Sequence, residues 1–212
     1  MAKLTWDNTG ERFYETGVKN VALYVFDNTP EVKAYKEGVA WNGVTAISES
    51  PSGAEPTALY ADDKKYLNLL SAEEFAASIE AYTYPDEFAE CDGSASLVPG
   101  VTVGQQTRSK FALAYKTTIG NDEAGNSLGY KLHIIYNCLA APSEKAYNTI
   151  NDSPEAITFS WEISTTPVTF TIDGKEYSTA CVTIDSRTAD PSKLAALETK
   201  LLVELNLILN QH

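Results

Sequence analysis

Between Ile157 and Ile163 apolar and polar side chains alternate without a break, with Ile157, Phe159, Trp161 and Ile163 on one face and Thr158, Ser160 and Glu162 on the other. Successive side chains of a strand point to opposite sides of its sheet. A period of two, written in β-branched and aromatic residues, therefore predicts a half-buried strand with Ile157, Phe159, Trp161 and Ile163 in the core. Pro167 ends the ladder because it has no N–H to donate. Val168, Phe170 and Ile172 resume the alternation, and Asp173-Gly174 supplies residues tolerant of positive φ for a turn. From Ser178, Ala180, Val182 and Ile184 again share a face. These three runs predict an antiparallel meander.

The same reading applied upstream places strands at Arg12 to Tyr14, Val18 to Phe26, Val39 to Ile47, Lys110 to Thr117 and Tyr130 to Ala140. Val21 to Phe26 is apolar on both faces, as expected of a strand central in a covered sheet or pressed against another chain. Gly43 marks a bulge or close backbone approach inside its strand. Asn121 to Asn126 reads as a hairpin connection, whereas Ser94 to Gly104 and Pro142 to Pro154 read as loops. His133 falls on the Lys131 and Asn137 face and is expected to be exposed.

Two segments are less regular. Over 48–57 the chain is rich in Ser, Pro, Gly and Glu and reads as a long exposed excursion, too polar to pack. Glu73 to Tyr84 fits both periods; its Tyr-Thr-Tyr-Pro end favours a strand, with Phe75, Ala77, Ile79 and Ala81 on one face and Glu74, Ser78 and Glu80 on the other. Pro85 to Glu90 then predicts a short helix with acids in its first turn, stopped by Gly93. At the far end Asp190-Pro191 is an N-cap followed by proline at N1. Leu194, Leu197, Leu201, Leu202, Leu205 and Ile208 recur at helical spacing, so an amphipathic helix over 190–209 is expected to cover an open sheet face. Together these elements define a mainly β fold, an antiparallel sandwich or barrel-like single domain over 1–212 with a short flanking helix and a C-terminal helix.

Composition narrows the function. With 43% hydrophobic and 21% charged residues the chain is globular rather than disordered. No apolar run approaches the ~20 residues needed to span a bilayer, and the first residues lack an apolar signal core, so no membrane association is expected. Cys91, Cys138 and Cys181 are odd in number and widely spaced, which suits small buried side chains rather than a disulfide framework or zinc site. The net charge of −13 is concentrated, with eleven acids between Glu49 and Asp92 against only Lys64 and Lys65. Such a surface repels phosphates and disfavours binding to nucleic acid.

No nucleophile elbow, P-loop, zincin, EF-hand or dinucleotide motif occurs, and two histidines are too few for a triad. The acid pairs Asp62/Asp63 and Glu73/Glu74 point to opposite faces of a strand and do not converge on one bond. Neither a catalytic role nor a cofactor is therefore expected. A carbohydrate-binding module using Trp41, Trp161, Tyr82 and Tyr84 is the alternative, and it requires those aromatics to be exposed.

Five blocks carry a resemblance: Gly38-Val39-Ala40-Trp41-Asn42-Gly43-Val44-Thr45, Pro51-Ser52-Gly53-Ala54-Glu55-Pro56, Leu59-Tyr60-Ala61-Asp62, Glu80-Ala81-Tyr82-Thr83-Tyr84-Pro85-Asp86-Glu87-Phe88 and Phe159 to Val168. In this order they resemble the major tail (tail tube) proteins of long-tailed bacteriophages and prophages, over 6–202. The apolar end, 203–212, is longer than that resemblance leads one to expect. The resemblance implies a virion protein, assembled in the host bacterial cytoplasm. Its six-membered rings would stack into a hollow tube that conducts genomic DNA without holding it. Its partners would be further copies of itself and the tail-tip, tape-measure and tail-terminator proteins. Beside that resemblance, the excursion over 49–66, with Glu49, Ser50, Pro51, Glu55, Leu59, Tyr60, Asp62 and Asp63, is long enough to reach an adjacent ring, and the acidic polar face Glu74, Ser78 and Glu80 is the candidate lining of the bore.

Overall fold

The computed structural model describes residues 4–150, 152 and 155–201. The chain opens with β1 (Tyr14–Asp27), then the edge pieces β2 (Ala34–Tyr35) and β3 (Val39–Ala40). Six segments follow: β4 (Val44–Glu49), β5 (Ser52–Gly53), β6 (Pro56–Ala61), β7 (Lys64–Leu70), β8 (Glu73–Glu74) and β9 (Ala76–Ala81). A 3-10 turn (Asp86–Phe88) runs into α1 (Ala89–Asp92), and β10 (Ala95–Val98) pairs with β11 (Val101–Val103). The long strands β12 (Phe111–Asn121) and β13 (Gly125–Ala140) come next, then β14 (Phe159–Ser164), β15 (Val168–Ile172), β16 (Lys175–Thr179), β17 (Cys181–Asp185) and α2 (Pro191–Leu201).

Among the described residues every pairing of the main sheet is antiparallel, and the sheet runs β2-β1-β12-β13-β14-β9-β4, with β3 beside β1 and β17 beside β13. The sheet divides at β13. Lys131 to Ile135 pair with β17, while Leu139 and Ala140 pair with β14, and between the two stretches Asn137 takes a positive φ of 49°. A residue in that conformation bends the strand away from one neighbour and toward another. The outcome is two half-sheets that face each other. Leu23, Leu113 and Ile135 from one meet Ile79, Trp161 and Ile163 from the other in a single core, closed by Phe88 and Cys91. Trp161 is fully buried and packs its ring against Trp41, Tyr84 and Phe88 at 5.7, 5.3 and 5.0 Å. Edge-to-face aromatic pairs of this kind add about 0.5–1.5 kcal/mol each beyond area burial.

A second core occupies the outer face of β1, β12 and β13, where Tyr24, Ala114, Leu132, Ile134 and Tyr136 are covered by Leu194 and Leu201 of α2. This explains the doubly apolar Val21 to Phe26: its odd positions enter the first core and its even positions the second. Asp190 caps α2, its Oδ1 accepting from the backbone N–H groups of Ser192 and Lys193 at 2.9 and 3.1 Å. The helix is further fixed by Glu198, which pairs with Lys116 at 2.8 Å and accepts from the Tyr130 hydroxyl at 2.7 Å. The Glu198 hydrogen bond pushes the Tyr130 phenol up to about 12.

Several expectations change. The three-strand meander does not form: β15 and β16 make an isolated hairpin through Asp173-Gly174, both at positive φ, while β14 pairs with β9 and β13, and β17 with β13. Ile157 lies before β14, 37% exposed, so of the four anticipated core residues Trp161 and Ile163 are buried and Phe159 half-buried. The strand over 39–47 is broken by a turn at Gly43, and the loop expected over 94–104 is the β10–β11 hairpin. Cys91 and Cys138 are buried free thiols and Cys181 is half-buried. The helix expected over 190–209 is present as Pro191–Leu201, with Leu202, Leu205 and Ile208 outside the described residues.

Candidate functional site

The excursion over 49–66 is the outgoing strand and tip of a long hairpin, whose return strand continues to Leu70, rather than an irregular loop. Pairing keeps one register from Ala46↔Glu80 through Ser52↔Glu74 and Pro56↔Leu70 to Leu59↔Leu67, shifting by one residue only near the tip. Ser50 N–H donates to the Ala76 carbonyl at 2.8 Å, continuing the ladder between β4 and β5. Pro51 and Pro56, which lack N–H groups, and the left-handed pair Gly53-Ala54 interrupt it. At Gly53 the backbone approach demands glycine, because a Cβ there would lie 2.3 Å from the Ala72 carbonyl oxygen. The tip is the two-residue turn Asp62-Asp63, with φ of 50° and 55°, the left-handed pair of a tight hairpin. At about 3.3 Å per residue the stretch from Ser50 to Ala61 extends roughly 40 Å beyond β4.

This arm belongs to neither core. Leu59, Leu67 and Leu69 share one of its faces through the pairs Leu59↔Leu67 and Thr57↔Leu69, and all three are exposed. Tyr60, Tyr66 and Leu70 are more exposed still, at 73, 72 and 71%. Asp62, Asp63, Lys64 and Lys65 form a charged tip of no net charge. An exposed apolar strip on a projecting two-stranded ribbon is unusual for a surface meeting only water.

Of the residues anticipated for this excursion, Ser50, Pro51, Glu55, Leu59, Tyr60, Asp62 and Asp63 lie on the arm or its stem, but Glu49 does not. Glu49 ends β4 and turns inward, where its carboxylate accepts from the Tyr115 hydroxyl at 2.5 Å and lies 3.4 Å from His133 Nδ1. His133 is correspondingly enclosed instead of exposed, its side chain 12% accessible and stacked on Tyr115 at 4.8 Å. Its Nε2 lies 3.0 Å from the Thr117 hydroxyl and 3.5 Å from Glu15, which Lys131 meets at 2.5 Å. Burial, reinforced by the Glu49 carboxylate, raises the Tyr115 phenol. Burial works against the ionised Glu15, but Lys131 and Thr117 hold its carboxyl below the ordinary range. The cluster ties β1, β4, β12 and β13 together at the root of the arm.

The second surface is the outward face of β4, β9 and β14. Register places Ser48, Ser78 and Glu162 in one row and Ala46, Glu80 and Ser160 in the next. Ser78 and Glu80 of the anticipated set therefore stand together, and Glu74 lies two pairs further along the same hairpin in β8. Glu162 and Ser160 join this face, which sequence reasoning missed because they come from a strand eighty residues away in the chain; their place opposite Ile163 and Trp161 was the available signal. The six positions of these two rows carry small or acidic side chains and no base.

Trp41 and Trp161 are buried, with their indole N–H groups donating to the Thr83 carbonyl and to Asp92 at 2.8 and 2.9 Å. Tyr84 packs on Phe159 and Trp161, which leaves Tyr82 the exposed member of the four aromatics that a carbohydrate platform would use.

No protein-family model matches the chain, and no curated protein matches it. Among solved structures it is similar to a chain in the 6-fold symmetrised cryo-EM structure of the anti-feeding prophage (AFP) baseplate. That similarity has 8% sequence identity and a TM-score of 0.37, and covers 85% of this chain and 97% of the other.

Proposed function

We propose that this chain is a structural, non-catalytic subunit of a phage or prophage tail, which self-assembles into stacked six-membered rings forming the tail tube. The observation that carries the reading is the projecting arm, whose apolar strip has no partner within the described residues of its own chain. The five sequence blocks that resemble tail tube proteins support it, and two of them, Pro51 to Pro56 and Leu59 to Asp62, lie on that arm. The sheet adds a second support. Among the described pairings β4 and β17 are each bonded on one side only, so both offer an edge to a neighbouring copy. A projecting arm seated on a different surface of the next copy is a heterologous contact, which grows along an axis without closing.

The test removes the arm while leaving its root intact. A variant in which 56–70 is replaced by a short Gly-Ser turn is expected to fold with an unchanged melting temperature and to remain small by sizing and negative-stain microscopy at concentrations where the full chain forms tubes. Tubes of normal length from the shortened chain would refute the reading.

A further inference from the structure

At the root of the arm His133 stands between carboxylates from two different strands. Glu15 of β1 lies 3.5 Å from its Nε2, and Glu49, which ends β4 where the arm departs, lies 3.4 Å from its Nδ1. The two sides of the ring are not equivalent. Thr117 gives its hydroxyl proton to Glu15, so toward His133 Nε2, 3.0 Å away, it can only accept, and Nε2 carries a proton. In the neutral ring Nδ1 is then a lone pair, which accepts from the Thr183 hydroxyl at 3.3 Å and faces the Glu49 carboxylate. We propose that protonation of His133 Nδ1 locks the arm to the body: the added N–H donates to Glu49 and fixes the stem, and its loss frees the stem.

The surrounding charges single out this contact. Lys131 of β13 neutralises Glu15, whereas His133 is the one cationic partner of Glu49 among the described ion pairs. Four further titratable groups border the cluster. The Tyr115 phenol of β12 donates to Glu49, Asp185 of β17 is taken by Arg187, and Cys181 of β17 feels the charges of both Glu49 and Glu73 of β8. Burial raises the Tyr115 phenol and the Cys181 thiol, so both stay neutral where an imidazole titrates. An imidazole changes charge between about pH 5 and 8, above the range of ordinary carboxylates and below that of phenols and thiols. Glu49 gives that charge its leverage. It pairs with Ala77 of β9, and the next residue, Ser50, donates to the Ala76 carbonyl, so its carboxylate acts on the first rungs of the stem. With His133 charged, the stem is held from β9 on one side and from β13 through a charge-assisted hydrogen bond on the other; with His133 neutral, β9 holds it alone.

The test follows amide exchange and the His133 ring by NMR in the full chain from about pH 5.5 to 8.5, with exchange corrected for its intrinsic pH dependence. Amides over 50–53 and 73–76 are expected to exchange roughly tenfold more slowly at the acid end, with the same midpoint as His133, while the Leu23 and Leu113 amides of the body do not change. Glu49→Gln offers an amide N–H to the neutral ring. It should keep the stem protected across the whole range and move the His133 midpoint to lower pH. Stem exchange independent of pH in the unsubstituted chain would overturn the proposal. A pH dependence that survives Glu49→Gln would also overturn it, by assigning the proton to another group. If that variant does not fold, the ring of the full chain decides alone: Nδ1 must be the nitrogen that gains the proton, and protonation at Nε2 instead would refute the lock. These measurements do not depend on tube formation, so they stand or fall apart from the proposed function.

Discussion

Asp92 shows how much of this fold rests on single polar groups placed against aromatic packing. Its carboxylate accepts from the Trp161 indole at 2.9 Å and pairs with Lys145 at 2.6 Å, with only 8% of its side chain exposed. Replacing it by alanine leaves a buried indole N–H unpaired and a cation without its partner, so Asp92→Ala is expected to cost about 2–4 kcal/mol, read as a lower urea midpoint at unchanged slope. Asp92→Asn keeps an acceptor for the indole and should cost less. A second carboxylate sets an acid limit. The Arg187 guanidinium holds Asp185 down to about 2. Since a depressed folded pKa contributes stability above the unfolded value and loses it as the pH falls, the pair's contribution is complete above about pH 4 and lost toward pH 2. Asp185→Asn should therefore flatten the fall in melting temperature across that interval while lowering it modestly at neutral pH. Sequence made Trp161 legible as core through its alternation with Ser160 and Glu162, but its partner lies 69 residues away and no local pattern marks it. Ile157 failed for the opposite reason: it keeps the period of β14 yet precedes the first residue that finds a partner, Phe159 opposite Ala81.

At the scale of elements, periodicity identified strands well and their neighbours poorly. The long runs in β12 and β13 and the short helical piece before Gly93 were evident from the pattern alone. Pairing depends on bends that single residues introduce, and Asn137 at φ 49° sends β13 from β17 to β14 where short connections suggested a simple meander. The arm was hidden because two prolines and Gly53 carry the composition of a loop, whereas the constant register across those interruptions is a property of the paired strand as well. That register makes Gly53 decisive. Valine there brings a Cβ against the Ala72 carbonyl at a φ of +83°, a strain of about 1–3 kcal/mol. Gly53→Val is expected to accelerate amide exchange along β6 and β7 while leaving β12 and β13 protected, because the body does not depend on the stem. Uniform acceleration across both would show that arm and body unfold together.

At the scale of the whole molecule, the uneven charge acquires a direction. The body's polar rows, Ser48-Ser78-Glu162 and Ala46-Glu80-Ser160, present acids and small hydroxyls without a base. In a tube whose bore this face lined, DNA would meet like charge all round. Salt confines the repulsion to about 8 Å at physiological ionic strength, so the wall would prevent adhesion without acting at long range. If the chain forms tubes as proposed, reversing two charges, Glu80→Lys with Glu162→Lys, should leave their formation intact, since both residues are exposed and neither makes an ion pair among the described contacts. The assembled variant is expected to retain linear duplex DNA at low salt and release it as salt is raised, because the added lysines bind phosphate by counterion release. A closed circular duplex, which has no end to thread, should not be retained. That difference separates a bore from an outer wall: equal retention of linear and circular DNA would place these rows on the outside of the tube, and retention of neither would remove them from the path of the genome altogether.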